Sequence, residues 1–246
     1  VAERLGDAER WGEPVRLSNP VNKKLPLLRT SVIPALLDVA RRNSNVGEKD
    51  LRFFELGKVF RRTADGHDES WVLAGILTGN AERVRWDASP REIDFFDGKG
   101  VLQALTEALD IDTPRACCYD GPLFEWGSEL SVGDRSLGVF GTLSKETLKA
   151  WELDGPVFAF EIDLDLLVEL LPERRAYREP PRFPRARRDA ALVLDGGVAA
   201  GDVLEEVRAS EEPLLTDVQV FDVYRGEQLG AGKKSLALGL TYMSGE

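Results

Sequence analysis

The sequence predicts an α+β fold: a mostly antiparallel sheet with helices inserted between its strands, followed by a smaller β-α-β-β unit. Three observations lead there. Short runs rich in aromatic and β-branched residues recur along the chain, at residues 51–60, 71–78 and 157–164 among others. Helix-period apolar spacing returns only in brief stretches between them. Where two such runs lie close, at 128–132 and 135–143, the dipeptide Gly133-Asp134 separates them, and that pair favours a hairpin turn.

The elements follow in order. Residues 1–26 are polar and punctuated by proline. Thr30 or Ser31 can cap a helix whose first turn tolerates Pro34, with Ile33, Leu36, Leu37 and Ala40 on one apolar face, fading at Asn43-Ser44-Asn45. Residues 51–60 are too aromatic and too short for a good helix and read as a strand buried on both faces, as do residues 71–78. The polar stretch between them holds the only histidine, His67, read as an exposed turn residue. Residues 79–97 read as a loop in which Asp94 and Asp97 cap a helix starting near Lys99, with Val101, Leu102, Leu105 and Leu109 to one side. In 157–164, Phe158, Phe160, Ile162 and Leu164 alternate toward one face.

Composition excludes several classes. With 43% hydrophobic and 30% charged residues over 246 positions, the chain can bury a core as an ordinary globular protein. No apolar run approaches the ~20 residues of a membrane span, so no membrane partner is expected. The start, Val1-Ala2-Glu3-Arg4, lacks Met and a signal-peptide pattern and reads as an internal cut. The only cysteines, Cys117 and Cys118, are adjacent, which disfavours a disulfide, and no Cys/His ligand spacing exists. No metal site is expected, and a reducing, cytoplasmic compartment is. A net charge of −11 argues against nucleic-acid binding by the whole surface, and no DNA partner is expected. Local basic patches remain open.

One such patch lies late in the chain. Residues 172–190 carry seven Arg against two Glu and one Asp. Residues 172–188 read as an Arg/Pro-rich linker between a domain at 1–171 and a second at 189–246. Beyond the linker the order is strand (189–194), helix (199–209, with Val203, Leu204 and Val207 inward), strand (215–224) and strand (234–242). That is the first part of a ferredoxin-like β-α-β-β-α-β unit. No sequence remains for its second helix and last strand, so this domain reads as incomplete.

The landmarks of this region are Arg182-Phe183-Pro184 with Arg188-Asp189, then Phe221-Asp222-Val223-Tyr224-Arg225-Gly226, then Lys233-Lys234-Ser235-Leu236-Ala237-Leu238. They resemble the ferredoxin-fold anticodon-binding domain that ends the β subunit of bacterial phenylalanine–tRNA ligases. Upstream, Leu17-Ser18-Asn19-Pro20, Leu28-Arg29-Thr30-Ser31, Phe54-Glu55-Leu56-Gly57-Lys58-Val59-Phe60 and Asp94-Phe95-Phe96-Asp97-Gly98-Lys99-Gly100 stand in that family's order. They resemble its non-catalytic, class II synthetase-like domain. Two of the family's His-Pro loops are absent: Gly121-Pro122-Leu123 and Gly141-Thr142-Leu143-Ser144 stand in their places. The resemblance implies a segment that scaffolds a catalytic α subunit in an α2β2 heterotetramer and contributes tRNA binding near the anticodon. It implies that the parent enzyme uses ATP and Mg2+, with no cofactor held by this segment. The competing reading is a stand-alone RNA-binding or protein-interaction module reusing the fold.

Candidate residues follow from both lines. Arg182, Arg185, Arg187 and Arg188 can reach backbone phosphates through forked donors, Lys233 and Lys234 can add contacts from a hairpin, and Phe183 and Tyr224 can stack on bases. Arg29, Glu55, Phe95 and Phe96 are candidates for ordering the fold or an interface, Arg29 by pairing with Glu55. The aromatic residues Phe53, Phe54 and Phe60 read as core. No catalytic residue is assigned. Phe53 stands where the second class II motif would use Arg, and no Gly-x-Gly-x-x-Arg occurs to stabilise charge on a nucleotide. The purified chain is therefore expected to show no ATP–pyrophosphate exchange; detectable exchange would overturn the non-catalytic assignment.

Overall fold

Strand alternation and one buried carboxylate shape the larger part of this protein. The computed structural model describes residues 8–23, 26–82, 85–87, 89–111, 114–173, 183–210 and 212–244. It divides into two units, Val1–Arg175 and Ala176–Glu246. The first contains strands β1 (Leu51–Thr63), β2 (Gly66–Thr78), β3 (Arg115–Tyr119), β4 (Phe124–Val132), β5 (Arg135–Leu143) and β6 (Val157–Asp163). Its helices are α1 (Ala8–Trp11), α2 (Ile33–Ser44), α3 (Phe95–Leu109), α4 (Lys145–Ala150) and α5 (Leu164–Glu169). The strands form one antiparallel sheet in the order β1-β2-β6-β5-β4-β3.

The inner strand β6 buries both of its sides, as the period of two demands. Val157 and Ala159 join Ile33, Leu36, Leu37 and Ala40 of α2 in one core. Phe158, Phe160 and Ile162 join Leu102 of α3 and Leu166 and Leu167 of α5 in the other. Phe95 stacks on Phe140 with ring centroids 5.4 Å apart and meets the edge of Phe158 at 6.3 Å. Such aromatic contacts add specific geometry to the area buried.

Helix α2 starts without a side-chain cap from its N-cap residue. Val32 stands at the cap position, one residue after Ser31, whose hydroxyl nevertheless accepts from Ile33 N at 3.2 Å as a capping serine would. The carboxylate of Glu161, on β6, accepts from Val32 N at 2.7 Å and from Ser31 Oγ at 2.8 Å. Helix α3 begins at Phe95, four residues earlier than its apolar spacing indicates. Asp94 is its cap and Asp97 closes a reciprocal capping box. Arg91 grips Asp97 in a fork at 2.7 and 2.8 Å and holds its carboxyl down to about 2.

Two expectations are corrected by the pairing and exposure of β1 and β2. Strand β1 is an edge strand and is not buried on both faces: Phe54 is 73% exposed and Leu56 is also exposed. The polar stretch around His67 is not a loop, because β1 and β2 continue through it with Thr63 opposite Gly66, and His67 pairs in register with Arg62. That outer hairpin is exposed on both faces, so its side chains carry no alternation to read. Strand β3 and helices α4 and α5 were not anticipated. β3 is an exposed edge strand, and α4 and α5 are single-turn pieces capped by Ser144 and Asp163.

The second unit holds β7 (Ala186–Asp195), α6 (Ala200–Ala209), β8 (Leu215–Tyr224) and β9 (Lys233–Tyr242), with a 3-10 turn at Glu227–Leu229. Its antiparallel sheet runs β7-β9-β8, the ferredoxin-like β-α-β-β arrangement. Leu236, Leu238 and Val218 form its buried face, and α6 packs onto β8. β7 begins at Ala186, so residues 186–188, read above as the end of a linker, belong to the strand. An edge strand tolerates Arg187 and Arg188 because both can reach solvent.

Burial pushes the Glu161 carboxyl above the ordinary value of 4.5, against the pull of Val32 N–H and the Ser31 hydroxyl. From 4.5 upward the folded chain therefore holds more protons at this site than the unfolded chain, and the group's contribution to stability falls as pH rises. Glu161→Gln retains an acceptor for Val32 without the charge. In urea titrations, its stability relative to wild type is expected to increase from pH 4.5 toward neutrality. A pH-independent difference would sink this account. Glu161→Ala, which removes the acceptor of Val32 N and of the Ser31 hydroxyl, should cost ~1–3 kcal/mol.

Candidate nucleic-acid interface

In an antiparallel sheet, residues paired across strands project to the same side, so register divides the basic candidates. Arg188 pairs with Leu240, which shares its side with Leu238 and Leu236, the buried face. Arg187 pairs with Thr241 and lies on the other, open face. Its guanidinium lies across β9 at Gly239, where an added Cβ would stand 2.9 Å from Nη2. It also sits 5.8 Å from the ring centre of Phe221 and donates from Nε to Asp189 at 3.3 Å. Cation and ring hold each other in place there.

Phe221 was not singled out from the sequence. It occupies a β-bulge, since Val220 pairs with Leu238 and Asp222 with Ala237, leaving Phe221 as the extra residue. The bulge breaks the alternation that would have announced its facing. Tyr224 pairs with Ser235 and so shares the open side, half-exposed. Its phenol lies against Gly226, where any Cβ would overlap the hydroxyl. Thus Arg187 and Phe221 meet on the open face, with Tyr224 farther along it and Asp189, Asp217 and Asp222 on the same side; exposed rings and a planar cation can stack on unpaired bases.

The other candidates are placed differently. Arg185 and Phe183 are exposed ahead of β7, and Arg182 lies outside the described residues. Lys233 is exposed at the start of β9. Lys234 is only 7% exposed, and its ammonium donates to Gly196 O at 3.2 Å and to Val198 O. It points to the buried side and ties β9 to the turn before α6. Its expected tRNA contact is therefore corrected: its donors are spent on backbone carbonyls.

In the first unit, Arg29 Nη1 donates to Glu55 at 2.6 Å and its Nε to Lys58 O at 2.8 Å. Phe60 N also donates to Arg29 O. These bonds fasten the segment before α2 across β1. Phe95 is core, whereas Phe96 is exposed on the first turn of α3. Phe54, read as core, is exposed as well. Asp94 and Asp97 are occupied with capping α3. Among the described residues no cluster of three carboxylate, imidazole or thiol side chains could hold a metal ion. No helix among them is long and apolar enough to cross a membrane.

Comparison with known proteins adds to this geometry. The family model described as the phenylalanyl tRNA synthetase beta chain CLM domain matches residues 1–164, and that of the ferredoxin-fold anticodon binding domain matches residues 181–246. The phenylalanine–tRNA ligase beta subunit of Syntrophus aciditrophicus (strain SB) is 33% identical over 249 residues, which cover 99% of this chain and 31% of that protein. The corresponding subunit of Symbiobacterium thermophilum is 34% identical over 234 residues, covering 94% of this chain and 26% of that protein. The chain thus spans about a third or less of these relatives' length. A solved pyrrolysyl-tRNA synthetase from Desulfitobacterium hafniense is a distant likeness, with TM-score 0.43 and 18% identity over 58% of this chain and 49% of its own.

The two adjacent lysines should separate in stability. Lys234→Met keeps the buried stem but removes the donor from two carbonyls, an expected loss of ~1.5–3 kcal/mol. It should appear as faster hydrogen exchange in the turn at 195–199 and along β9. Lys233→Met, at the exposed neighbour, should change neither. Equal effects of the two substitutions would contradict the placement of Lys234.

Proposed function

Because the chain belongs to the family of phenylalanyl-tRNA synthetase β chains, we propose that it acts within a phenylalanine–tRNA ligase, scaffolding the catalytic α subunit and binding tRNA near the anticodon. The observation that carries the RNA part is the open sheet face of the second unit. There Arg187 lies against Phe221, and Tyr224 shares the same face, inside the residues matched by the anticodon-binding domain. With Asp189, Asp217 and Asp222 on the same side as Arg187, contact there would rest on stacking by Phe221 and Tyr224 and not on net positive charge.

The first unit contributes structure to this assembly. Among its described residues no cluster suits a metal, and the Arg29–Glu55 pair fastens the fold. ATP and Mg2+ would serve the reaction elsewhere in an assembled α2β2 enzyme in the cytoplasm. The exposed Phe54, Leu56 and Trp71 on the β1–β2 hairpin offer an apolar surface on which such an assembly can be built.

Two measurements test this reading. Co-expressed with a phenylalanine–tRNA ligase α chain, the protein should co-purify with it; tRNA binding with no affinity for the α chain would favour a stand-alone RNA-binding module instead. In fluorescence anisotropy with a labelled anticodon stem-loop, Phe221→Ala and Tyr224→Ala should each weaken binding about tenfold, the scale of one stacked base. Unchanged affinity in both variants would remove the open face from the RNA site.

A further inference from the structure

At one end of the second unit, the turn after β7 and the loop joining β8 to β9 enclose a cleft of about 640 Å³. Gly196, Gly226, Gly230, Gly232, Arg225 and Lys233 line it. No lining side chain is both large and apolar, so the cleft offers little to an apolar ligand. Its character is instead that of exposed backbone between two cations.

Several cations of the first unit are tied to carboxylates: Arg10, Arg29, Arg41, Lys58, Arg91 and Arg135 each lie against one. Arg225 and Lys233 are exposed, and among the described side chains neither has a carboxylate within ion-pair distance. Asp195 stands opposite Lys233 in the β7–β9 register without pairing to it. Behind the Gly196 wall lies the buried Lys234 ammonium, bonded to Gly196 O and Val198 O, a third positive charge that solvent screens poorly.

The backbone suits an anion too. Gly230 (φ +89°) and Gly232 (φ +75°) adopt left-handed conformations, and a Cβ at either would meet open space. Glycine therefore stands there for its backbone freedom, and turns of this kind can aim successive N–H groups at a phosphate. Gly226 joins the cleft to the open face, because the Tyr224 phenol rests on it.

We propose that this cleft holds a phosphate of an RNA backbone whose neighbouring base lies on Tyr224. The proposal rests on the RNA-binding reading given above and adds Arg225 and the glycine loop to it as the backbone-binding part. Arg supplies a fork matched to phosphate oxygens, and Lys supplies a point charge. Contacts of this type position an RNA without reading its sequence.

The test uses the full chain and two labelled RNAs, a tRNA anticodon stem-loop and the same stem with a scrambled loop, across a salt series. The double substitution Arg225→Gln/Lys233→Gln should weaken both RNAs equally, on the order of tenfold. It should also reduce the slope of log affinity against log salt by about two. The charge-preserving Arg225→Lys/Lys233→Arg should restore most of the affinity, and its failure to do so would count against charge as the cause. Tyr224→Ala should change the ratio between the two RNAs instead. If the Gln double variant binds like wild type while Tyr224→Ala still weakens binding, the cleft proposal fails and the RNA-binding reading stands. If the wild-type chain binds neither RNA, both fail. Inorganic phosphate that shifts the amide resonances of Gly226, Gly230 and Gly232 without competing with RNA would point to a free anion and overturn the proposal.

Discussion

A carboxylate on an inner strand decides how the first unit closes. Glu161 projects from β6 between residues that are wholly buried, and is itself 4% exposed. A helix start leaves several backbone N–H groups without partners inside the helix, and a nearby Ser, Thr or Asp usually answers them. Here one acceptor comes from 130 residues beyond Ser31. The start of α2 is therefore placed jointly by the sheet it covers and by Ser31, whose hydroxyl accepts from Ile33 N at 3.2 Å. The segment before it is fastened by Arg29 on β1. Once those bonds form, Ile33, Leu37 and Ala40 have one place to go.

That arrangement explains which parts of the fold were legible. Wherever one face was buried and the other wet, the alternation was visible; the hairpin at Gly133-Asp134 and the four elements of the second unit follow it closely. Elements held by distant partners left weaker marks. The first turn of α3 opens with Phe95-Phe96, one ring in the core and one in solvent, so its spacing resembles a loop. The outer half of the β1–β2 hairpin is paired through its backbone and exposed through its side chains, and hydrophobic pattern cannot report on such a strand. β3 is hidden for the same reason.

The candidate site was legible in composition and obscure in direction. Seven arginines in residues 172–190 mark a basic region in an acidic chain, but a count cannot say which side of a strand each occupies. The pairing does: Arg187 and Arg188 part to opposite faces. The facing of Phe221 is hidden because a bulge needs the partner strand to exist, and that Arg225 has no carboxylate within ion-pair distance among the described side chains is a fact of the fold and not of the sequence. Several cations of the first unit lie in ion pairs, and such surface pairs contribute little to stability.

The Lys233-Lys234 doublet carries a further consequence. In β9 the inward residues are Lys234, Leu236 and Leu238, and the outward ones include Lys233, Ser235 and Ala237. A slip of one position would turn Ser235 and Ala237 inward, too small to fill the space left by two leucines. It would also draw the Lys234 ammonium away from the only two carbonyls described as receiving it. Sheets with small, evenly polar strands are prone to such slippage. Here the doublet works as a registration pin, with one lysine that fits only inside the sheet and one that needs water, so the central strand can dock in a single frame.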